Sequence, residues 1–242
     1  MSTSECDNDL TGSLPSGSDR RPIRSYVIRG GRLTTSQQKA LETLSADYVV
    51  DFRPEPLDKE SLFGNAHPVI VEIGFGMGDS LLAMAKNHPE RNFLGIEVHK
   101  PGIGKLLLGI ASDDIANIRV INHDAREVIE RCFVNQSLDG IQIFFPDPWH
   151  KKRHNKRRLI QAGFVELLVS RLKAGGKLHL ATDWEPYAEQ MLEVLEANQA
   201  LINSAGPGNF ATPGDRPTTK FEQRGRKLGH GVWDLHFTRR PD

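Results

Sequence analysis

The chain has 242 residues, enough for one α/β domain with a full core and a tail. Lys and Arg number 31, as do Asp and Glu, so the formal net charge is zero, which excludes a uniformly basic nucleic-acid coat. Cys6 and Cys132 are too few for a disulfide framework, and no apolar run approaches the ~20 residues of a membrane span. Residues 1–20 lack the apolar stretch of a signal peptide, so a soluble cytoplasmic protein is expected.

Residues 1–21, rich in Ser, Asp, Gly and Thr, are expected to be a disordered tail before a single domain over 22–242. Its first segment, 22–67, interleaves Arg24, Arg29 and Arg32 with Tyr26 and Ile28. Thr34 and Thr35, with Gln37 and Gln38 three residues on, predict a capped short helix over Lys39–Leu44. From Pro68 the core begins, and apolar runs alternate with helical patterns. Strands are predicted over 68–74, 92–98, 117–122, 139–145 and 176–182. Helices are predicted over 79–87, 101–113, 125–133, 158–173 and 186–199, the fourth stopping at Gly175-Gly176. Val232, Trp233, Leu235 and Phe237 against Asp234 and His236 predict a last strand with one wet face. The alternation implies an α/β fold with a doubly wound, mostly parallel sheet, whose ligands sit at the carboxyl ends of the strands.

Those ends are where the chemistry-bearing residues fall. Gly74, Gly76 and Gly78 lie between the first core strand and its helix, preceded by Glu72. Glycines there let the backbone approach a ligand while free amides of the helix start face it. Glu97, 19 residues after Gly78, ends the next strand and can accept ribose hydroxyls. Asp124 ends the third, where it can meet an adenine edge or cap the following helix. An anionic pocket of this kind fits an adenosine cofactor with a positive charge, such as the sulfonium S-adenosylmethionine, better than a pyrophosphate.

The fourth strand runs into FFPDPWHKKRHNKRR. Pro146 and Pro148 fix the backbone around Asp147, and Trp149 can either pack or stack on a base. Residues 151–158 hold six Lys or Arg and no acid, so with the whole chain at zero the remaining residues carry minus six. Such a run is either a solvated face or a phosphate-binding surface. His150 and His154 are four apart but have no third ligand at metal spacing. Asp183 follows the fifth strand as a fourth acid at the same edge, or as a helix cap. The polar segment around Thr219, Lys220, Glu222, Arg224, Arg226 and Lys227 is either solvated surface or a substrate lid.

Together, RSYVIRGGRLT, VEIGFGMGDSL, FLGIEVHKPGIG, PDPWHKKRHNKRR, ATDW and TKFEQRGRKLGHGVWDL resemble the bacterial tRNA (guanine-N7)-methyltransferases from about Pro22 to Arg239. The resemblance implies a seven-stranded class I methyltransferase fold in which residues 22–67 lie on the substrate side. It implies S-adenosylmethionine as cofactor, tRNA as partner, and guanine 46 of the variable loop as target. Matched to the motifs, Glu72, Gly74, Gly76, Gly78, Glu97, Asp124 and Asp147 are the cofactor contacts, with Asp147 also the catalytic residue. Lys151, Arg153, His154, Asn155, Lys156, Arg157, Arg158, Asp183, Thr219, Lys220, Phe221 and Glu222 are the substrate and RNA contacts. A monomer or homodimer without an obligate protein partner is expected.

Guanine N7 has an in-plane lone pair and no proton to lose, so its methylation needs no base but creates positive charge on the purine. A carboxylate held ~4 Å away offsets up to about 4 kcal/mol of that charge at an effective dielectric near 20, before desolvation. From the residues alone, three rivals stay open: a methyltransferase with another substrate, a non-catalytic RNA-binding protein and a nicotinamide-dependent reductase. Against the last, the loop reads G-x-G-x-G rather than G-x-G-x-x-G, and Tyr187 is followed four residues on by Met191 rather than lysine.

Overall fold

A parallel strand buried on both faces needs apolar residues at successive positions. VIVEI, NFLGI and IRVI supply them, and in each the side chains divide alternately between two cores. The computed structural model describes residues 25–26, 31–214, 216–218, 222 and 231–241. The tail over 1–21 and Thr219, Lys220 and Phe221 lie outside the described residues.

In chain order the elements are α1 (Thr35–Tyr48), β1 (Val49–Val50), α2 (Lys59–Phe63), β2 (Val69–Ile73), α3 (Asp79–Asn87), β3 (Asn92–Ile96), α4 (Lys100–Asp113) and β4 (Ile118–Ile121). They continue with α5 (Ala125–Arg131), β5 (Leu138–Phe144), a 3-10 helix (Lys152–Arg157), α6 (Ala162–Arg171), β6 (Leu172–Thr182), α7 (Glu185–Glu196), β7 (Leu201–Asn203) and β8 (Trp233–Arg239). The strands form one sheet in the order β1-β4-β3-β2-β5-β6-β8-β7, parallel except where β8 pairs with β6 and β7. Seven strands, β2 to β8, match the expected sheet, and the two-residue β1 adds an eighth at the edge.

Val71, Ile73, Leu94, Ile96, Ile141 and Ile143 point into one core, shared with buried residues of α5, α6 and α7. Phe93, Ile118 and Val120 point into the other, with residues of α1, α3 and α4. After β2 the chain builds outward through β3 and β4, then returns to the opposite side of β2 with β5. That reversal opens a crevice between the ends of β2 and β5, the usual ligand position in such sheets.

Three expectations are corrected. The helix predicted over Lys39–Leu44 is longer: Thr34 and Gln37 close a capping box, and α1 continues to Tyr48. The helix predicted over 158–173 starts at Ala162 and ends at Arg171, and β6 passes through Gly175-Gly176. Leu172 joins the sheet because it pairs with Leu138 and is fully buried, and a register shift between Leu138 and Gly140 absorbs the extra residues. The wet face expected of the last strand is not wet at Asp234, which is 1% exposed because Arg216 and His179 cover it.

Candidate active site

A cleft of about 430 Å³ opens where the sheet order reverses, walled by Gly74, Glu97, Asp124 and Asp147, with Ser25 and Tyr26 from the N-terminal segment. The glycine loop reaches it through three left-handed residues, Gly74 (φ 73°), Gly76 (φ 58°) and Gly78 (φ 79°), the last capping α3. Glu97 fastens this loop. Its Oε2 accepts from the Gly76 amide at 2.8 Å, and its Oε1 accepts from the amides of Val98 at 2.7 Å and His99 at 3.0 Å. With about four lone-pair positions on a carboxylate, little acceptor capacity remains for ribose. Glu97 therefore shapes the loop as well as facing the cleft.

Glu72, within β2, is 2% exposed, and its Oε2 is buried without a hydrogen-bond partner. Burial and the neighbouring Glu97 push its carboxyl up to about 8. A cationic ligand would relieve both effects, so the orphaned oxygen and paired acids fit the sulfonium cofactor that the strand-end pattern predicts. Asp124 does both things expected of it: it lines the cleft and caps α5, its Oδ1 accepting from the Arg126 and Glu127 amides at 2.9 and 3.2 Å.

The turn carrying Asp147 is strained. Of the four non-glycine residues with positive φ among the described ones, two bracket it, Phe145 (φ 51°) and Trp149 (φ 47°). Such conformations cost about 1–3 kcal/mol each and persist where surrounding contacts hold them. Here the Phe145 amide donates to the Ala181 carbonyl at 2.8 Å, and the Trp149 indole N–H donates to the Ser25 carbonyl at 3.1 Å. The Arg157 guanidinium lies 3.9 Å from the centre of the Trp149 ring, so this indole packs against the protein's own basic run.

The basic run begins four residues after Asp147, and the 3-10 helix turns its residues in different directions. Lys151, Lys152, Arg153 and Lys156 are exposed, whereas His154, Asn155 and Arg157 are half-buried. Arg158, an RNA contact by the resemblance, is 5% exposed. It donates to the carbonyls of Pro148 and Pro186 and to Gln190 Oε1, and lies over the Tyr187 ring at 4.7 Å. Those contacts tie the Asp147 turn to α7. Asp183 stands between β6 and α7, beside Trp184, which is 36% exposed and meets His150 edge-on at 4.3 Å.

Glu222, a substrate contact by the resemblance, is 1% exposed and bonds Arg216. The pairing of Arg216 with Asp234, and of Asp234 with His179, carries no local sequence signal, since it spans up to 55 residues. His179, Asp234 and His236 bring three ligand-type atoms within 4.8 Å of one another. Both oxygens of Asp234 accept from Arg216, however, and that cation opposes a metal ion there.

A doubly wound sheet with a glycine loop and strand-end acids around one cleft defines a class I S-adenosylmethionine-dependent methyltransferase. The fold matches the crystal structure of the 16S rRNA methyltransferase KamB with a TM-score of 0.56 at 15% identity, over 77% of this chain and 95% of that one. A family model described as "Putative methyltransferase" matches residues 66–235. A tRNA (guanine-N(7)-)-methyltransferase from Acidovorax sp. (strain JS42) is 56% identical over 230 residues, 95% of this chain and 91% of that protein. One from Aeromonas hydrophila is 56% identical over 224 residues, 92% and 94% of the two chains. The chain belongs to the tRNA (guanine-N(7)-)-methyltransferase family.

Proposed function

We propose that the protein methylates N7 of a guanine in the variable loop of tRNA, with Asp147 as the catalytic residue. The observation that carries this reading is the strained turn that puts Asp147 on the cleft wall four residues before the exposed cations.

The chain's own groups divide the work. Glu72, Glu97, Asp124 and the glycine loop would hold S-adenosylmethionine, which supplies a methyl group on a positively charged sulfur. Lys151, Lys152, Arg153 and Lys156 engage phosphates. Asp147 accepts hydrogen bonds from N1 and the exocyclic amine of guanine, which presents the N7 lone pair, and its charge offsets the positive charge that the new N7–methyl bond leaves on the base. The methyl–sulfur bond breaks as that bond forms, and no proton need leave the base. The reading places the enzyme in the cytoplasm with its tRNA, as a monomer or homodimer. No helix among the described residues is long and apolar enough to cross a membrane.

The test is nucleoside mass mapping of unmodified tRNA after incubation with labelled cofactor. Labelled 7-methylguanosine from the variable loop is expected, and Asp147→Ala should abolish it while cofactor still binds. Label at another atom or base would overturn the substrate assignment, and full turnover by Asp147→Ala would overturn the catalytic one.

A further inference from the structure

Beyond Asp147, on the side away from the glycine loop, the next strand to end is β6, which runs into Asp183 and Trp184. Three ties bind this strand end to the Asp147 turn. The Phe145 amide donates to the Ala181 carbonyl at 2.8 Å, and His150 meets Trp184 edge-on with ring centres 4.3 Å apart. Arg158 donates to the carbonyls of Pro148 at 2.9 Å and Pro186 at 3.4 Å, so one guanidinium spans both turns. The two turns therefore form one wall, on which His150 and Trp184 stand side by side.

The Trp184 backbone is fixed where the indole leaves it. Its amide donates to Thr182 Oγ1 at 3.3 Å, and its carbonyl accepts from the amides of Tyr187 and Ala188 at 2.9 and 3.0 Å. The indole itself is not packed away: among the large apolar side chains exposed in the described residues, Trp184 is the one aromatic. A single exposed apolar residue needs no explanation by itself. This one adjoins the Asp147 turn, and the exposed cations Lys151, Lys152 and Arg153 directly follow its neighbour His150. The partner drawn to this wall is therefore a polyanion. A purine taken out of its stack to reach the cleft has two bare ring faces, and an indole can cover one of them.

We infer that Trp184, steadied by His150, is the platform on which the methyl-accepting guanine stacks. Asp147 engages the edge of the base and Trp184 its face, so the two together fix its plane toward the methyl donor. As the methyl–sulfur bond breaks and the N7–methyl bond forms, positive charge builds on the purine. An indole face attracts a cationic ring more than a neutral one. Stacking therefore strengthens during the transfer, lowering the barrier as well as holding the substrate. The inference rests on the reading of guanine N7 as the acceptor.

The experiment compares Trp184→Phe, Trp184→Leu and Trp184→Ala in the full chain. It uses unmodified tRNA and the same tRNA with an abasic nucleotide in place of the target guanine. Affinity for both RNAs, single-turnover methylation, cofactor affinity and melting temperature are measured. With intact tRNA, affinity should fall about tenfold in Trp184→Leu and Trp184→Ala but less than about threefold in Trp184→Phe. The single-turnover rate at saturating tRNA should drop about fivefold further, in the same order. With abasic tRNA all four proteins should bind equally, because the stacking partner is gone. Cofactor affinity should stay within about threefold, since the indole then touches only the base. A lower melting temperature in Trp184→Ala leaves the comparison to Trp184→Phe and Trp184→Leu, which keep most of the bulk. Equal losses in those two would reduce Trp184 to apolar filling, and a penalty that persists with abasic tRNA would put the indole under a neighbouring base. Either result overturns the inference, as would full affinity and turnover in Trp184→Ala. Label mapped to a base other than guanine in the wild-type reaction would instead mark failure of the acceptor reading, before any variant is compared.

Discussion

Glu72 and Glu97 belong to neighbouring strands, Glu72 paired in register with Gly95 on β3 and Glu97 just beyond its end, and both side chains are withdrawn from water. Only Glu97 is compensated, by three backbone amides, while one oxygen of Glu72 has no partner. The asymmetry puts the proton on Glu72, whose carboxyl is pushed up to about 8.

Cofactor affinity should therefore depend on pH. A sulfonium favours the ionised carboxylate, so below about 8 its binding must expel the Glu72 proton. Affinity should rise with pH by up to about tenfold per unit and level off near 8. S-adenosylhomocysteine, lacking the sulfonium charge, should show a flatter profile. Calorimetry across pH 6–9 measures both, and equal slopes for the two ligands would refute the linkage.

The same proton sets a stability trend of opposite sign. Between the ordinary value of 4.5 and about 8 the folded state holds a proton that the unfolded state has lost, so stability falls as pH rises through that window. Glu72→Gln should raise the stability of the cofactor-free protein by about 1–4 kcal/mol at pH 8, with no gain at pH 4. Denaturant unfolding at the two pH values checks it.

Gly102 within α4 should resist replacement even by alanine. A Cβ there would lie 1.9 Å from the Gly76 carbonyl oxygen, so the missing side chain is what lets α4 lie against the glycine loop. Gly-to-Ala in a helix otherwise gains about 1 kcal/mol. A net loss of about 1–3 kcal/mol in Gly102→Ala would show that the clash outweighs propensity. Displacing the loop should also weaken cofactor binding at least tenfold, with tRNA affinity unchanged.

The glycine loop and strand-end acids were legible in the sequence for one physical reason. A parallel strand buried on both faces is an apolar run, and where it stops, polar residues such as Glu97 and Asp124 stand out. β1, α2 and β7 have two, five and three residues and carry no periodicity of their own, so their pairing partners define them. Asp234 illustrates a different limit. Alternation assigned it to the wet face, but its burial follows from Arg216 and His179, and no local pattern predicts such distant pairing. Composition likewise could not separate the inward Arg158 from its outward neighbours.

That separation yields the last prediction, a contrast within the basic run. Lys156 is exposed, and neutralising it should lower the slope of log tRNA affinity against log salt by up to ~1, with no change in melting temperature. Arg158 is buried and bonds the carbonyls of Pro148 and Pro186. Arg158→Ala leaves those acceptors and Gln190 short of a donor, and should cost about 2–3 kcal/mol of stability while keeping the salt slope. It should also lower turnover, because the Pro148 contact restrains the turn that holds Asp147. Salt titrations of tRNA binding and thermal unfolding of the two variants separate the roles. A reduced slope in Arg158→Ala would put that side chain on the phosphates after all, requiring the 3-10 helix to rearrange when tRNA binds.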